Sequence, residues 1–462
     1  MADSRFQRAA LLIAALATLH GLLYIPLVHR HVTTDTDTYV AAAQTLEHGR
    51  YSTPLRAGFY FTYPIGFFDL TGIPEGHRSP VFRAPEKQAY RTPGYPLALA
   101  LVGGGGRGAS RYAALVSQAL LLGLATWLLA LTIRRWWGAT PALLAEAVYA
   151  LDPYSKHYVT LVVTETLATF VAVACAYAFT RAWHERTGGW AVTGALAAAL
   201  TLVRPVFMIA VPLAALAALL RPPQRLRGAL AAALAAALLL VPWLAWTNHV
   251  SGKPVLSNWG EGFNLLLAAH GEGLGHEAAE IESEPAFRAD FASPRRTAPT
   301  TKQLLHDPYA HPRYLERADA QLRTRARSLY WHRLKHDPLE VAWENAYRNY
   351  FLWTAHHDWY QPHGAALLAL QALDWILLAL AGAGAVLALR GRGAAAAVAV
   401  FLVVYSVTLS THHVEARFSM PLRGFFLAYA GYAFIRAVAR FRARRAESLQ
   451  TRTASPRGYR PS

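Results

Sequence analysis

The chain has 462 residues, 54% of them hydrophobic and 16% charged, with 45 Lys and Arg against 28 Asp and Glu for a net charge of +17. Its apolar residues come in long blocks rather than amphipathic stripes, which excludes an ordinary soluble domain. The basic residues punctuate those blocks instead of forming one face, which argues against nucleic acid as a partner.

Several blocks reach the roughly 20 apolar residues that a helix needs to cross a ~30 Å hydrocarbon core. The Arg clusters at 5 and 8, 134 and 135, 181 and 186, 221 to 227, 390 and 392, and 440 to 445 fall at every second helix end. Taken as cytoplasmic, they predict spans at 9–29, 111–133, 138–152, 157–180, 190–204, 205–220, 228–248, 364–389, 394–411 and 418–438. The expected fold class is therefore an all-α polytopic membrane protein of about ten transmembrane helices, with both ends inside. Arg204-Pro205 either separates two short spans or kinks one, and the parity of the later basic clusters favours two.

Residues 9–28 have a basic flank but no small-x-small cleavage site after them, so they are expected to be a retained helix. Extracytoplasmic loop one, residues 30–95, follows. It opens with Thr33-Thr34-Asp35-Thr36-Asp37-Thr38-Tyr39 before an apolar-periodic run ending at Gly49. A Thr/Asp cluster there caps a short interfacial helix. Asp35 and Asp37 at a membrane surface also offer a base or a cation site, since partial desolvation moves carboxylate pKa values. The same loop closes with Tyr90-Arg91-Thr92-Pro93-Gly94-Tyr95-Pro96, which by itself reads as a turn into the next membrane segment.

Further on, the lone Cys175 excludes an internal disulfide. Glu146, Glu165 and Asp374 lie in or near spans, where acids are costly. Glu146 and Asp374 read as packing residues, whereas Glu165 fits packing and substrate contact equally. Residues 249–362 form a second outer segment with 14 of the chain's acids, half the total, and no run long enough to cross. Its many Trp and Tyr residues suit a membrane-interface belt, with sugar stacking as the sharper use of one or two. The adjacent pairs His356-His357 and His412-His413 point different ways and do not predict zinc. The expected organisation is a module at 1–248, the outer segment 249–362, helices in 363–446 and a disordered cytoplasmic tail at 447–462.

The two loop-one motifs, taken together and in order, resemble the GT-C superfamily of membrane glycosyltransferases. The likeness is greatest to the bacterial branch related to aminoarabinose transferases and protein O-mannosyltransferases, including the RgtA-type enzymes. It extends to Thr164-Glu165-Thr166-Leu167, Arg204-Pro205, the stretch from Asn258 to Leu267 after a helix ending in Pro242-Trp243, and Glu415-Ala416-Arg417-Phe418-Ser419-Met420-Pro421. Loop one departs from the pattern in a long Phe/Pro-rich stretch from Gly58 to Arg83.

The resemblance implies an inverting transferase in a bacterial inner membrane, with its active site extracytoplasmic. It would move a sugar from a polyprenyl-phosphate donor to an envelope lipid, polysaccharide or protein, with membrane lipids as further partners. Asp35 is implied as general base, with Asp37 as its rival, and Tyr39, Arg91, Tyr95, Glu165, Arg204, Glu415 and Arg417 as substrate-binding residues. Arginines suit the leaving phosphate through their planar fork. No metal or other cofactor is expected, although Asp35 and Asp37 near His412, His413 or Glu415 could hold a divalent cation if the fold joins them. A secondary transporter or flippase is the alternative, with Glu165 and Arg204 lining a pathway; the sugar, acceptor and oligomeric state are left open.

Overall fold

The computed structural model describes residues 2–27, 34–49, 51, 91–103, 109–185, 189–221, 225–257, 260–272, 278–292, 310–354, 365–391 and 393–454. Every regular element among them is helical. The Gly58 to Arg83 stretch, Asn258, His356-His357, Trp359 and Tyr360 lie outside the described residues.

Among the described residues, five helices are long and apolar enough to cross a membrane. They are α1 (Ala2–Tyr24), α4 (Ala109–Trp137), α7 (Glu165–Glu185), α10 (Arg225–Ser251) and α16 (Ala365–Arg390). Four shorter apolar helices pack among them: α5 (Ala139–Leu151), α8 (Gly189–Val203), α9 (Ala210–Leu219) and α17 (Ala394–Ser410). Lipid supplies no hydrogen bonds, so all these segments satisfy their backbones internally. Packing between them relies on small residues rather than water exclusion. Gly194 on α8 lies so close to Ala232 O on α10 that a Cβ would collide with the carbonyl.

The chain breaks at Arg204, which is extended, and restarts as a 3-10 turn over Pro205–Phe207 before α9. Two helices therefore stand where a kinked one was possible. The predicted span 157–180 is corrected: α6 (Pro153–Val159) comes first and α7 starts only at Glu165. Asp152 stops α5 and caps α6 by accepting from Ser155 N at 3.0 Å, with Pro153 at the favoured first position. Helix α10 continues through Pro242 to Ser251. The last predicted span starts later, since residues 416–422 form 3-10 turns and α18 covers Arg423–Ala454, carrying helix into the polar stretch after Glu447.

The outer segment contains α11 (Glu261–Ala269), α12 (Ala278–Ser283), α13 (Pro285–Ala292), α14 (Ala310–His336) and α15 (Pro338–Trp353). Phe263, Leu266, Phe287, Phe291 and Leu322 give it a core of its own. Asp319 secures the start of α11, accepting from the backbone N–H groups of Gly260 and Gly262 at 2.9 Å each.

Candidate functional site

The short helices define a recess. At 1.5 Å per residue, α5, α8 and α17 rise only about 20 to 26 Å, against a hydrocarbon core of ~30 Å. Each begins near a basic cluster and stops short at a charged or polar turn: Asp152 after α5, Arg204 after α8, and residues 411–422 after α17. Helix α7 begins there with Glu165, and its other end carries Arg181. At that far end, too, Arg134 near the end of α4 pairs with Asp3 and lies over the Phe6 ring. The site thus lies on the side away from the basic clusters, sunk between helix ends.

Two short loop-one helices complete it, α2 (Thr34–Glu47) and α3 (Gly94–Leu101). Thr36 Oγ1 ties α2 to the bundle by donating to Val162 O at 3.0 Å. The turn it grips is non-helical and would leave buried carbonyls unpaired. Gln118 supplies a partner for Val159 O at 3.0 Å and a second one, besides Val163 N, for Leu161 O at 2.8 Å, while Tyr95 OH donates to its Oε1 at 3.0 Å. Tyr39 meets Tyr95 edge to face at 5.1 Å, and the Arg91 guanidinium lies over the Tyr39 ring at 4.6 Å.

Asp35 sits between two arginines. Arg91 Nη2 donates to Asp35 Oδ1, Arg91 Nε to Thr38 Oγ1 at 3.0 Å, and Arg417 Nη1 to Asp35 Oδ2 at 2.7 Å. Burial alone would raise the Asp35 carboxyl, but the two guanidiniums hold it well below the usual carboxylate range. Arg417 Nη2 also donates to Glu415 Oε1 at 2.9 Å, so one guanidinium bridges two carboxylates. Glu415, likewise opposed by burial, is held down to about 2 by Arg417 and His413.

The charges alternate outward from there. His413 Nε2 lies 3.7 Å from Glu415 and its Nδ1 2.5 Å from Glu272, just past α11. Burial would lower His413, yet the two glutamates lift it to about 10. Arg348 on α15 donates to Glu272 O and to Ser410 O, clamping the outer segment onto the same corner. Beside this line, Arg204 Nη1 donates to Glu165 Oε1 at 2.9 Å, and the Arg204 and Arg417 guanidiniums both lie over the Phe418 ring, at 5.3 and 5.9 Å from its centroid.

Asp35, Tyr39, Arg91, Tyr95, Glu165, Arg204, Glu415 and Arg417 are thus gathered in one recess. Asp37 lies on α2, but its side chain is outside the described residues. His413 was considered only as a possible cation ligand and is found in ion pairs with Glu272 and Glu415; Glu272, Gln118 and the Asp152–Arg423 pair at 3.2 Å were missed, and of these only Asp152-Pro153 carried a local signal, that of a helix cap. A His-x-x-x-His face was also overlooked. His332 and His336 on α14 have ring centroids 4.2 Å apart, and no third ligand joins them among the described residues.

These features define a multi-pass helical membrane protein with a charged recess opening on one side. A family model described as dolichyl-phosphate-mannose-protein mannosyltransferase matches residues 97–246. The oligosaccharyltransferase AglB of Archaeoglobus fulgidus, solved with an inhibitory peptide and a dolichol-phosphate, superposes at a TM-score of 0.50 with 14% identity, over 100% of this chain and 53% of its own. The same archaeon's enzyme with Zn and sulfate also gives 0.50, at 14% identity over 96% and 51%. ArnT from Cupriavidus metallidurans bound to undecaprenyl phosphate gives 0.39, at 14% over 92% and 77%. Comparison with curated proteins finds no match. The chain spans about half the length of the archaeal enzyme. Over residues 97–246 the chain is thus similar to that mannosyltransferase family, and it shares its fold with the archaeal oligosaccharyltransferase.

Proposed function

We propose that this chain is an inverting glycosyltransferase that takes a sugar from a polyprenyl-phosphate carrier and passes it to an acceptor on the extracytoplasmic face of a bacterial inner membrane. The observation that carries this is the seat of Asp35 between Arg91 and Arg417. Two guanidiniums converging on one carboxylate are equally suited to a phosphate, which presents more oxygens and more charge.

A donor phosphate competes with Asp35 for the arginines. Once it takes them, Asp35 loses the charges that depress its pKa and becomes a better proton acceptor. The acceptor hydroxyl then attacks the anomeric carbon, its proton passes to Asp35, and the bond to the phosphate oxygen breaks with its electron pair. Arg91, Arg417 and, next to Phe418, Arg204 stabilise the departing phosphate. Tyr39 and Tyr95 form the wall beside Arg91.

An apolar cavity of about 90 Å³ lies among α7, α8, α9, α17 and the start of α18, lined by residues such as Phe179, Leu200, Leu213, Phe401 and Leu422. Leu200 is one turn before Arg204, so the cavity suits a carrier chain whose phosphate enters the recess. The family model's description and the dolichol-phosphate held by AglB name the same class of carrier.

The deciding experiment measures transfer of radiolabelled sugar from a panel of polyprenyl-phosphate hexoses and pentoses in vesicles with the wild type or Asp35→Asn. Donor consumption by the wild type alone, at equal protein, supports the proposal. Equal transfer by Asp35→Asn removes Asp35 as base, and no consumption of any donor by either removes the proposed activity.

A further inference from the structure

Helix α15 presents a surface that neither the core of the outer segment nor the recess uses. Its Val341, Glu344, Arg348 and Leu352 are buried. Glu344 accepts from Arg333 of α14, while the C-terminal half faces the bundle, with Arg348 Nε donating to Ser410 O at 2.6 Å and the neighbouring Trp353 Nε1 to Ser406 Oγ at 3.0 Å. On another face Leu339 is 85% exposed and Trp343 62%, and Ala342 and Ala346 are exposed between and beyond them. Positions i, i+3, i+4 and i+7 share one side of a helix. In water such a stripe would be a liability.

The contacts with α17 supply a depth scale. They run antiparallel, Trp353 beside Ser406 and Arg348 beside Ser410, so α15 climbs as its residue numbers fall. Helix α17 starts at Ala394, next to the basic Arg390 end of α16. At the helical rise, Ser406 and Ser410 lie about 18 and 24 Å above that start. A hydrocarbon core of ~30 Å measured from the same end still encloses both. The C-terminal half of α15 is therefore held below the outer hydrocarbon boundary.

Helix α16 gives the same answer independently. Tyr350 of α15 stacks on Trp375 with ring centroids 4.8 Å apart. Trp375 lies about 22 Å along α16 from Arg390 by the same rise. Trp375 is itself 60% exposed and Ile376 56%, on a helix apolar enough to span. The stripe on α15 thus continues the lipid-facing surface of α16. One and a half turns above Arg348, Trp343 comes to the level where interfacial tryptophans collect, and exposed Lys335 and His336 follow at the end of α14.

We propose that α15 is an outer-leaflet half-helix whose exposed stripe is seated in bilayer lipid. Ala346 and Trp343 contact acyl chains, Leu339 lies among headgroups, and Lys335 and His336 face lipid phosphates. The outer segment is thereby wedged into the membrane rather than only tethered to it.

The test uses the full chain with Cys175→Ser and one new cysteine at a time: Ala346→Cys, Trp343→Cys, Leu339→Cys, or the exposed Arg317→Cys as the aqueous reference. Each is labelled with an environment-sensitive fluorophore in nanodiscs of phosphatidylethanolamine and phosphatidylglycerol. Quenching by acyl-brominated lipid should be strong at 346 and 343, weaker at 339 and absent at 317, with iodide access severalfold lower at 346 and 343 than at 317. Iodide access at 346 and 343 equal to that at 317 overturns the proposal. So does protection from iodide without quenching by brominated lipid, which would mean that protein covers the stripe. Ala342→Cys, on the same face, carries the same expectation should Trp343→Cys fail to fold.

Discussion

Arg417 Nη1 reaches Asp35 Oδ2 at 2.7 Å across 382 residues of sequence, so the first and last motifs of the chain meet in one ion pair. Arg417 holds Glu415 with its other nitrogens. Its replacement leaves the partly buried carboxylates of Asp35 and Glu415 without the cation they share and removes a cation from the proposed phosphate position. Arg417→Gln should lower transfer about a hundredfold or more, the scale of a lost transition-state donor. Arg417→Lys, keeping charge but not the fork, should recover only part of this. Transfer rates at saturating donor check both; wild-type rates in Arg417→Gln would remove Arg417 from the mechanism.

The Glu165–Arg204 pair is buried, with side chains 2% and 9% exposed. Breaking such a pair from one side leaves an uncompensated charge, at a cost of about 3 kcal/mol or more, whereas replacing both partners costs less. Arg204→Met should therefore unfold at a lower temperature than Arg204→Met combined with Glu165→Leu. Transfer should be lost in both. Scanning fluorimetry in detergent separates the two effects; equal melting of single and double variants would mean that the pair is not the source of the loss.

His413 makes stability depend on pH in a defined window. Its folded pKa, raised to about 10, stands above the ordinary value of 6.5. The stabilisation is therefore complete below pH 6.5 and declines as pH rises toward 10. Glu272 faces His413 from the outer segment, and Glu415, backed by Arg417, from the other side. The wild type should lose thermal stability between pH 7 and 10, and His413→Gln should flatten that slope while melting lower at pH 7. An unchanged slope in His413→Gln would assign the alkaline loss to other groups.

How much of this the sequence announced depends on range. Apolar blocks mark membrane helices directly because the bilayer sets their length, and Asp35, Arg91, Glu165, Arg204 and Arg417 stood out as charged residues in ordered motifs. The start of α7 was misplaced because Gln118, from another helix, supports an unwound turn at Val159 and Leu161. The bond from His413 to Glu272 joins segments 141 residues apart, with no periodicity to reveal it. The depth of α15 was equally hidden, because its apolar stripe is too short and sparse to register as a span and only its partners on α16 and α17 place it.

Close helix approach yields a last prediction with a built-in control. A Cβ on Gly384 of α16 would strike Tyr429 O on α18, a backbone atom that cannot swing aside, whereas a Cβ on Gly382 meets nothing within 4 Å. Gly384→Ala should therefore push α16 from α18 and cost about 1 to 3 kcal/mol, the usual penalty for overpacking. Gly382→Ala should be neutral or stabilising by up to about 1 kcal/mol through helix propensity. Both residues lie on one helix two positions apart, so any general sensitivity of α16 to substitution affects them alike. The difference in melting temperature between the variants isolates the contact, and equal melting would show that α16 and α18 do not approach as closely as the Gly384–Tyr429 geometry requires.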